Sequence, residues 1–458
     1  MSAAPEALDR ARAKAYRRLI PLVFISYVIA FLDRANVGAA GSEMTRSLPG
    51  FDDNVFGIGA GIFFFGYFLL EIPGSLIVER WSARKWISRI MVTWGIVVAA
   101  TAMVKTPTHF YWARFLLGLA EAGFFPGVIV YLAHWFPRRD RARALAGFFV
   151  AGPIALIIGN NIWSFIIEIG TGSHPAVLGL KGWQWVYILS GIPAVLMGVV
   201  VFFRLTDRPR EARWLTDDER EALEQALARE RAENAAVQQH PGLGALFRNG
   251  RVAATIVLLS LAYFAGNAAN YGVDFFLPKI LKSWYGNRYG TGTILVWSSL
   301  PYIVMLAAQI WIGRRSDRTG ERWLHAAVPV VLGGVALAFA PSSHGILPLT
   351  LVVFGLTLGG IRGYLPAFWA LPNQLLQGAA AAGAIGFINS FGNLGGYVGS
   401  RILGKGSKLT GSYDIGLYML AGCAVLSASI IFALWRWQRR QSSVAARSVE
   451  PVASSVGV

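Results

Sequence analysis

Four charged side chains lie inside long apolar stretches of the chain, where a charge is costly and therefore points to a role. Asp33 and Arg34 are adjacent in the first stretch, and Arg114 and Glu121 are seven residues apart in the fourth. Seven residues are about two helical turns, so Arg114 and Glu121 share nearly one helix face. An arginine binds a carboxylate through two parallel hydrogen bonds, and a buried carboxyl group can titrate near neutral pH. The set predicts proton-linked binding of an organic anion; the alternative is structural salt bridges between helices.

Six further side chains within apolar stretches are candidates for contacting the same ligand. Hydroxyl and amide groups hydrogen-bond to carboxylates or hydroxyls, an indole ring stacks on a ligand, and an arginine binds an anionic group. For each of them the alternative is packing or a hydrogen bond between helices. The candidates are Tyr67, Tyr271, Arg362, Trp369, Asn389 and Asn393.

The depth of Arg362 differs from that of Asp274, an acidic residue in the same half of the chain. Arg362 lies about 24 Å along the tenth apolar stretch, whereas Asp274 lies about 10 Å from the end of the seventh. We therefore expect no direct pair and predict that Arg362 binds a second carboxylate of the ligand, the alternative being that it caps backbone carbonyls. Glu71, Arg89 and Glu168 lie nearer the ends of their stretches, and we expect them to reach the membrane surface.

Twelve apolar stretches position these side chains, and each is close to the ~20 residues that cross the hydrocarbon core as a helix. They predict an all-α polytopic membrane protein with about twelve transmembrane helices. The stretches cover roughly 18–38, 55–78, 87–104, 109–134, 144–169, 184–204, 252–281, 292–313, 324–340, 346–370, 380–403 and 413–435.

The composition agrees with this class. Of the 458 residues, 55% are hydrophobic and 15% are charged, and the mean hydropathy is +0.49. A soluble domain carries about 25% charged residues, so the apolar surface must face lipid. The single cysteine, Cys423, excludes an intrachain disulfide. The net charge of +17 is attributed to topology and to attraction by anionic lipid, not to nucleic-acid binding.

Basic residues concentrate in every second connection between the stretches. If each stretch spans, these connections share one side, and the positive-inside rule places both termini in the cytoplasm. The basic groups are Arg10, Arg12, Lys14, Arg17 and Arg18; Arg80, Arg84 and Lys85; Arg138, Arg139, Arg141 and Arg143; Arg314, Arg315, Arg318 and Arg322; and Arg436, Arg439 and Arg440.

A polar stretch, 205–250, divides the apolar stretches six and six. Within it, Thr216 and Glu219 have the spacing of a capping box, which predicts a short surface helix with Leu223 and Leu227 on one face; we interpret it as a solvated spacer. The predicted organisation is a cytoplasmic N-tail (1–17), a six-helix bundle (18–204), a cytoplasmic linker (205–250), a second six-helix bundle (251–436) and a cytoplasmic, disordered C-tail (437–458).

The two halves repeat one motif. After the second stretch comes GSLIVERWSARK (74–85), and after the eighth comes IGRRSDRTGERW (312–323). An internal repeat of six helices is typical of transporters built from two related bundles. The motif resembles the signature loop of the major facilitator superfamily, although the first copy has glutamate for aspartate and lacks the expected glycine. The resemblance implies a gating role for Glu79, Arg80, Arg84, Asp317 and Arg318.

Longer strings resemble the anion:cation symporter family of that superfamily. They are FLDRANVG (31–38), EIPGSLIVER (71–80), RFLLGLAEAGFFPGVIVYLAHWFP (114–137), FWALP (368–372) and FINSFGNLGGYVG (387–399). The resemblance implies two six-helix bundles around one central cavity and uptake of a small organic anion, such as a sugar acid, a dicarboxylate or an aromatic acid, together with protons. It assigns proton coupling to Asp33 and Glu121 and substrate binding to Arg34, Arg114 and Tyr67.

The remaining function classes fit less well. No paired-histidine metal motif, nucleophile elbow or phosphate-binding glycine loop occurs in the sequence, which argues against an enzyme and gives no reason to expect a cofactor. An exporter or a facilitator of another small solute on the same fold stays open. We expect a monomer in the plasma membrane, which is the inner membrane of a bacterium, with a carboxylate, protons and lipid as its partners and no nucleic acid.

Overall fold

The computed structural model describes most of the chain. The described residues are 3–137, 140, 150–171, 174–237, 248–375 and 378–447, and within these ranges the side chains of 3–5, 72, 75–80, 231, 233–237, 373, 378–383 and 441–447 are left undescribed.

The described residues of the first half form seven α-helices. They are α1 (Ala3–Ser47), α2 (Asp53–Arg80), α3 (Ala83–Ala100), α4 (Pro107–Glu121), α5 (Phe124–Trp135), α6 (Ala151–Ile166) and α7 (Gly182–Arg204).

A linker helix and nine further helices complete the described chain. They are α8 (Asp217–Val237), α9 (Gly250–Tyr285), α10 (Thr291–Thr319), α11 (Trp323–Phe339), α12 (Leu347–Gly363), α13 (Leu365–Phe368), α14 (Leu371–Leu375), α15 (Gly378–Asn393), α16 (Gly395–Thr410) and α17 (Asp414–Arg447).

The helices account for the predicted spans. Ten segments of the described chain are long and apolar enough to cross a membrane. The predicted fifth span is represented by the shorter apolar helix α6, since residues 141–149 lie outside the described residues. The predicted eleventh span is divided between α15 and α16 at Leu394. The described residues hold no β-strand, only one isolated bridge between Val177 and Leu180, so the all-α prediction is confirmed.

Among the described residues, the helices form two halves that meet along several helix pairs. In the first half α2 packs on α4, α3 on α7, and α1 on α6 and α7. In the second half α10 packs on α12, α11 on α12 and α17, and α9 on α16 and α17. The halves join through α1 with α9, α2 with α15 and α16, and α6 with α10. We call the side where α1 begins and α17 ends the termini face, and the opposite side the far face.

Close contact between α2 and α4 depends on two glycines. A Cβ atom at Gly118 would lie 2.0 Å from the carbonyl oxygen of Phe63, and one at Gly66 would lie 2.3 Å from that of Phe115. Small residues let membrane helices approach backbone to backbone. This contact fixes the register between the α2 residues Phe63 and Tyr67 and the charged residues of α4.

The polar linker is a packed element instead of the solvated spacer predicted from its sequence. Helix α8 lies against α1, where Lys14 Nζ is 2.8 Å from a carboxylate oxygen of Glu219. Leu223 and Leu227 are buried, as their spacing predicted. Glu219 also accepts a hydrogen bond from the backbone N–H of Thr216 at 3.1 Å, which is one half of the capping box. Burial raises the pKa of Glu219, but the Lys14 ammonium and the Thr216 N–H outweigh it and lower that pKa overall.

Both predicted tails continue neighbouring helices. Helix α1 begins at Ala3, so most of the stretch 1–17 is helical. Helix α17 runs to Arg447, beyond the boundary predicted at 436. Residues 448–458 of the predicted disordered tail lie outside the described residues.

Candidate functional site

Arg34 and Glu121 form an ion pair between α1 and α4. The Nε atom of Arg34 donates to Glu121 Oε1 at 2.7 Å, and its Nη2 atom lies 2.6 Å from the same oxygen. Glu121 is 1% exposed. The guanidinium also lies 5.2 Å from the ring centroid of Tyr67. The partner of Glu121 is therefore Arg34, and not Arg114 on its own helix.

Arg114 lies beside this pair, over a phenylalanine ring that it shares with Arg34. The guanidinium groups of Arg34 and Arg114 lie 5.4 and 5.2 Å from the centroid of the same ring, that of Phe63. Arg114 is 1% exposed, and its Nε and Nη1 atoms have no hydrogen-bond partner among the described residues. A buried guanidinium with unsatisfied donors is costly unless it serves a ligand.

Asp33 is buried on α1, directly before Arg34 in the sequence. Its Oδ2 atom accepts a hydrogen bond from Trp94 Nε1 at 2.8 Å, whereas Oδ1 has no partner among the described residues. A carboxylate held by one neutral donor is poorly compensated in a low-dielectric surrounding. Asp33 can therefore exchange a proton without losing an ion pair.

The position of Glu121 follows from a break in the fourth span. Helix α4 ends at Glu121, and α5 begins at Phe124. Between them Gly123 has a φ of 84°, a conformation that glycine adopts without a steric penalty. A Cβ atom there would also lie 3.2 Å from the Cα atom of Gly74 on α2. The break places the Glu121 carboxylate near the middle of the fourth span. Discontinuous helices form substrate and ion sites in this way in other transporters.

The second half contributes Arg362 and a ring of tyrosines. Arg362 is 8% exposed, and its guanidinium lies 5.4 Å from the centroid of Tyr271. Tyr263 and Tyr364 also face it. Its side chain makes no hydrogen bond or ion pair with any described residue. Asp274 lies outside ion-pair distance and instead accepts a hydrogen bond from Asn270 at 3.0 Å.

Aromatic contacts join the two charged centres. Tyr271 of α9 lies 4.6 Å, centroid to centroid, from Phe64 of α2, and Phe64 lies 5.2 Å from Phe63. The predicted residue Trp369 packs edge-on against Tyr263 at 5.0 Å. These rings form a chain of contacts from Phe63, beside Arg34 and Arg114, to Tyr271, beside Arg362.

Glu71 was set aside in the sequence analysis as a residue near a span end, and that expectation is wrong. It is 4% exposed, and its Oε1 atom accepts a hydrogen bond from Asn389 Nδ2 in the other half at 2.5 Å. The predicted ligand residue Asn389 is thus occupied by a protein carboxylate. Asn393, one turn further along α15, is 6% exposed. Hydropathy alone could not place Glu71, because the apolar stretch runs past it.

The predicted gating motif is only partly described. The side chains of Glu79 and Arg80 lie outside the described residues. The backbone N–H of Arg84 donates to Asp207 at 2.9 Å, which ties the start of α3 to the end of α7. In the second copy, Asp317 pairs with Arg322 at 2.6 Å, and Arg318 is exposed.

The far face joins the halves through many polar links. Lys279 of α9, which is 4% exposed, lies 2.9 Å from Asp53 of α2 and donates to Thr45 of α1 at 2.8 Å. Asp53 also accepts hydrogen bonds from Ser407 and Tyr413 at 2.7 and 2.6 Å. These links close the far face over the charged centre.

Further links at the same face use backbone and surface groups. Glu168 accepts from the backbone N–H of Gly292 at 2.6 Å, so this residue, expected to reach the membrane surface, instead bridges the halves. Arg89, which was also expected to reach the membrane surface, is exposed near the start of α3 and lies 4.1 Å from the ring centroid of Trp86. Two bundles with charged residues between them are the architecture of an alternating-access carrier.

Comparison with known families identifies this architecture. The model of the Major Facilitator Superfamily matches residues 23–400. The chain belongs to the major facilitator superfamily. It is therefore a multi-pass membrane transporter of small solutes and not an enzyme, as predicted.

Individual relatives of this superfamily member cover nearly the whole chain. One, from Agrobacterium vitis, bears the name of a tartrate transporter; it is 42% identical over 92% of this chain and 93% of its own length. A quinolone resistance transporter of Acinetobacter baumannii is 34% identical over 95% of this chain and 97% of its own. The partially occluded, inward-open structure of the xylose transporter XylE from E. coli shares the fold, with a TM-score of 0.72 and 13% identity over 92% of this chain and 98% of that one.

Proposed function

We propose that this transporter is a proton-coupled symporter that imports a small organic anion. One observation carries the proposal. Arg34 is held by Glu121 while Arg114, beside the same Phe63 ring, has free buried donors. Two guanidinium groups converge there, and one of them is neutralised by a group that can be protonated.

The linkage between proton and anion follows from this competition. A proton on Glu121 removes the negative charge that holds Arg34, which then offers its planar fork to a substrate carboxylate. Asp33, with its unpartnered Oδ1, is the second acid of the coupling. When the substrate leaves, Arg34 returns to Glu121 and the proton is released. Proton and anion thus move together.

Arg362 extends the proposal to the substrate class. Its guanidinium lies in the other half and has no partner among the described residues. A dicarboxylate would bind Arg34 or Arg114 with one end and Arg362 with the other, favouring the state in which the halves are closed around it. Tartrate, suggested by the name of the relative at 42% identity, has this form.

The proposed orientation follows the distribution of basic residues. The termini face carries the clusters around Arg84 and Arg314, so the positive-inside rule assigns it to the cytoplasm. The transporter would then lie as a monomer in a bacterial inner membrane with the far face outward.

A binding screen followed by uptake tests the proposal. Purified protein is heated with tartrate, other dicarboxylates, sugar acids and aromatic acids, and a bound anion raises its thermal midpoint. The best anion is then offered, radiolabelled, to proteoliposomes with an imposed inward proton gradient. We expect accumulation that collapses with a protonophore. Uptake indifferent to the proton gradient would contradict the coupling.

Export of another solute is the second candidate, since one relative is a quinolone resistance transporter. Inside-out vesicles with an acidic lumen, from which protons flow outward, distinguish the two. An exporter would load them with a quinolone by proton exchange, whereas the proposed importer would not.

A further inference from the structure

The polar links between the halves are distributed unequally over the membrane. Most hydrogen bonds and ion pairs that join described residues of the two halves lie at the far face: Asp53 with Lys279, Ser407 and Tyr413; Lys279 with Gly41 and Thr45; Glu43 with Thr291; Glu168 with Gly292; Asn54 with Arg401; and Asp52 with Lys408.

One link among the described residues lies elsewhere, and it joins Glu71 to Asn389. Glu71 comes eighteen residues after Asp53, the first residue of α2, which is about 27 Å along the helix at 1.5 Å per residue. The hydrocarbon core is about 30 Å thick, so this hydrogen bond lies on the termini side of the membrane centre.

The surroundings of Glu71 belong to the charged centre. Arg34 from α1 and Tyr67 from α2 face it, and Tyr263 from α9 does so from the second half. From α4, Glu121 faces Tyr67 and is held by Arg34. The second carboxylate oxygen, Oε2, is buried without a hydrogen-bond partner among the described residues. Ser390 also lies beside this carboxylate. A buried carboxylate whose hydrogen-bonding neighbours are neutral is weakly compensated, so a proton on Glu71 would remove its charge and weaken its hold on Asn389.

We propose that the Glu71 carboxylate occupies the position of a substrate carboxylate at Asn389 and is displaced when the anion binds. Glu71 is then a specificity-determining residue, and its hydrogen bond to Asn389 is the latch that holds the halves together on the termini side. This inference rests on the proposed transport of an organic anion. Two carboxylates cannot share the Asn389 amide at low cost, because like charges in contact repel. The anion therefore enters when Glu71 moves aside or takes up a proton, and the hydrogen bond between the halves is then replaced by one through the substrate.

The affinity test uses Glu71→Gln, which keeps the shape of the side chain and removes its negative charge. We expect the Kd of the purified variant for L-tartrate at pH 7.5 to fall at least fivefold. We also expect the number of protons taken up on binding, measured in two buffers of different ionisation enthalpy, to fall. The matched control is Glu43→Gln, which removes a buried acid that also bridges the halves, through Thr291 at the far face; its Kd should change less than twofold.

The latch test needs no ligand. In a Cys423→Ser background, a cysteine replaces Asn393, one turn beyond Asn389, and its alkylation from the termini face is timed in inside-out vesicles. Glu71→Ala, which removes the hydrogen bond, should raise the alkylation rate at least threefold in protein without substrate. Glu43→Ala should not.

The outcomes separate the two proposals. An unchanged tartrate Kd in Glu71→Gln together with an unchanged alkylation rate in Glu71→Ala overturns the inference, whatever the wild type transports. If the wild type binds no tartrate and no other carboxylate, the proposed function fails. The proposed displacement of Glu71 by a substrate carboxylate fails with it. Faster alkylation in Glu71→Ala would then support the latch alone.

Discussion

Three arginines of the charged centre have three different surroundings. Arg34 is paired with a carboxylate. Within the described part of the chain, Arg114 is buried with two unpartnered donor atoms, and Arg362 lies against an aromatic ring without an ion partner. An arginine inside a membrane protein is costly and commonly marks the path of a substrate or an ion. The difference in pairing suggests an order of events, with Arg114 and Arg362 available before Arg34 is released.

The first prediction concerns Arg114→Lys. A lysine keeps the charge but offers a point donor instead of a planar fork. The loss of one charge-assisted hydrogen bond, about 1.5–3 kcal/mol, should raise the apparent KM for uptake about 10- to 100-fold. Arg89→Lys, the same change at an exposed arginine, should leave KM unchanged. Equal KM values for the two variants would make Arg114 a structural residue.

The second prediction concerns Glu121→Gln. An amide cannot release a proton, so the variant should lose accumulation driven by the proton gradient. It should retain exchange of labelled for unlabelled anion, because Arg34 is then permanently free of a negative partner. Counterflow and gradient-driven uptake in the same proteoliposomes measure the two activities. A variant that still concentrates the anion would show that coupling lies elsewhere.

The third prediction concerns Arg362→Gln. If Arg362 binds the second carboxylate, wild-type protein prefers tartrate over its monoamide, and the variant loses most of that preference. Competition of both compounds against labelled tartrate measures it. Preference that survives the substitution would point to a monocarboxylate substrate or to a structural arginine.

Sequence reasoning found most of the charged residues of the centre but not their pairing. Asp33, Arg34, Arg114 and Glu121 stood out because charges interrupt apolar stretches. The pairing of Arg34 with Glu121 depends on how α1 and α4 pack, which helical spacing within one stretch does not reveal. Glu71 was missed because a residue near the end of an apolar stretch can still be buried between helices.

At the level of helices, the breaks and the close contacts position the chemistry. The fourth span is divided at Gly123 and the eleventh at Leu394, and each break lies within a few residues of a charged or amide side chain of the centre. Ten of the twelve predicted apolar stretches correspond to described helices that are long and apolar enough to cross a membrane, since length and hydropathy determine what crosses a membrane. They could not predict the breaks, because glycine is common throughout such helices.

The fourth prediction concerns Gly118→Ala. The added methyl group would meet the carbonyl oxygen of Phe63 at 2.0 Å, so α2 and α4 must separate. Over-packing of this kind costs about 1–3 kcal/mol and should lower the thermal midpoint of the purified protein and weaken anion binding together. Gly422→Ala is the control, because a Cβ atom there meets nothing within 4 Å. Equal midpoints for the two variants would contradict the packing described.

At the scale of the whole molecule, most of the polar links that join described residues of the two halves lie at the far face. Its links include a nearly buried ammonium, that of Lys279, compensated by Asp53. The neighbouring pair of Asp52 with Lys408 is half exposed, and exposed pairs contribute little. Two adjacent aspartates thus have unequal parts in holding the halves together.

The fifth prediction compares Asp53→Asn with Asp52→Asn. Asp53→Asn leaves Lys279 buried without a charged partner, a change of the kind that costs about 3–5 kcal/mol when the pair is fully buried and less here, because Asp53 is 19% exposed. Hydrogen–deuterium exchange of the peptides around 48–57 and 276–285 should therefore become faster. Asp52→Asn should leave both peptides unchanged. Equal effects of the two variants would show that the Lys279 pair does not hold the far face.

Helix α1 links the charged centre to this face. After Pro21 it runs without another proline to Ser47 and carries Arg34 near its middle and Thr45 near its end. Eleven residues separate the two, which is about 16 Å along the axis, so a tilt of about 10° at Arg34 displaces Thr45 by about 3 Å. That displacement matches the length of a hydrogen bond, the one from Lys279. Helix α1 would thus act as a rigid lever. When a substrate carboxylate replaces Glu121 at Arg34, a tilt of the helix would break the hydrogen bond from Lys279 to Thr45 at the far face, without a chain of intermediate contacts.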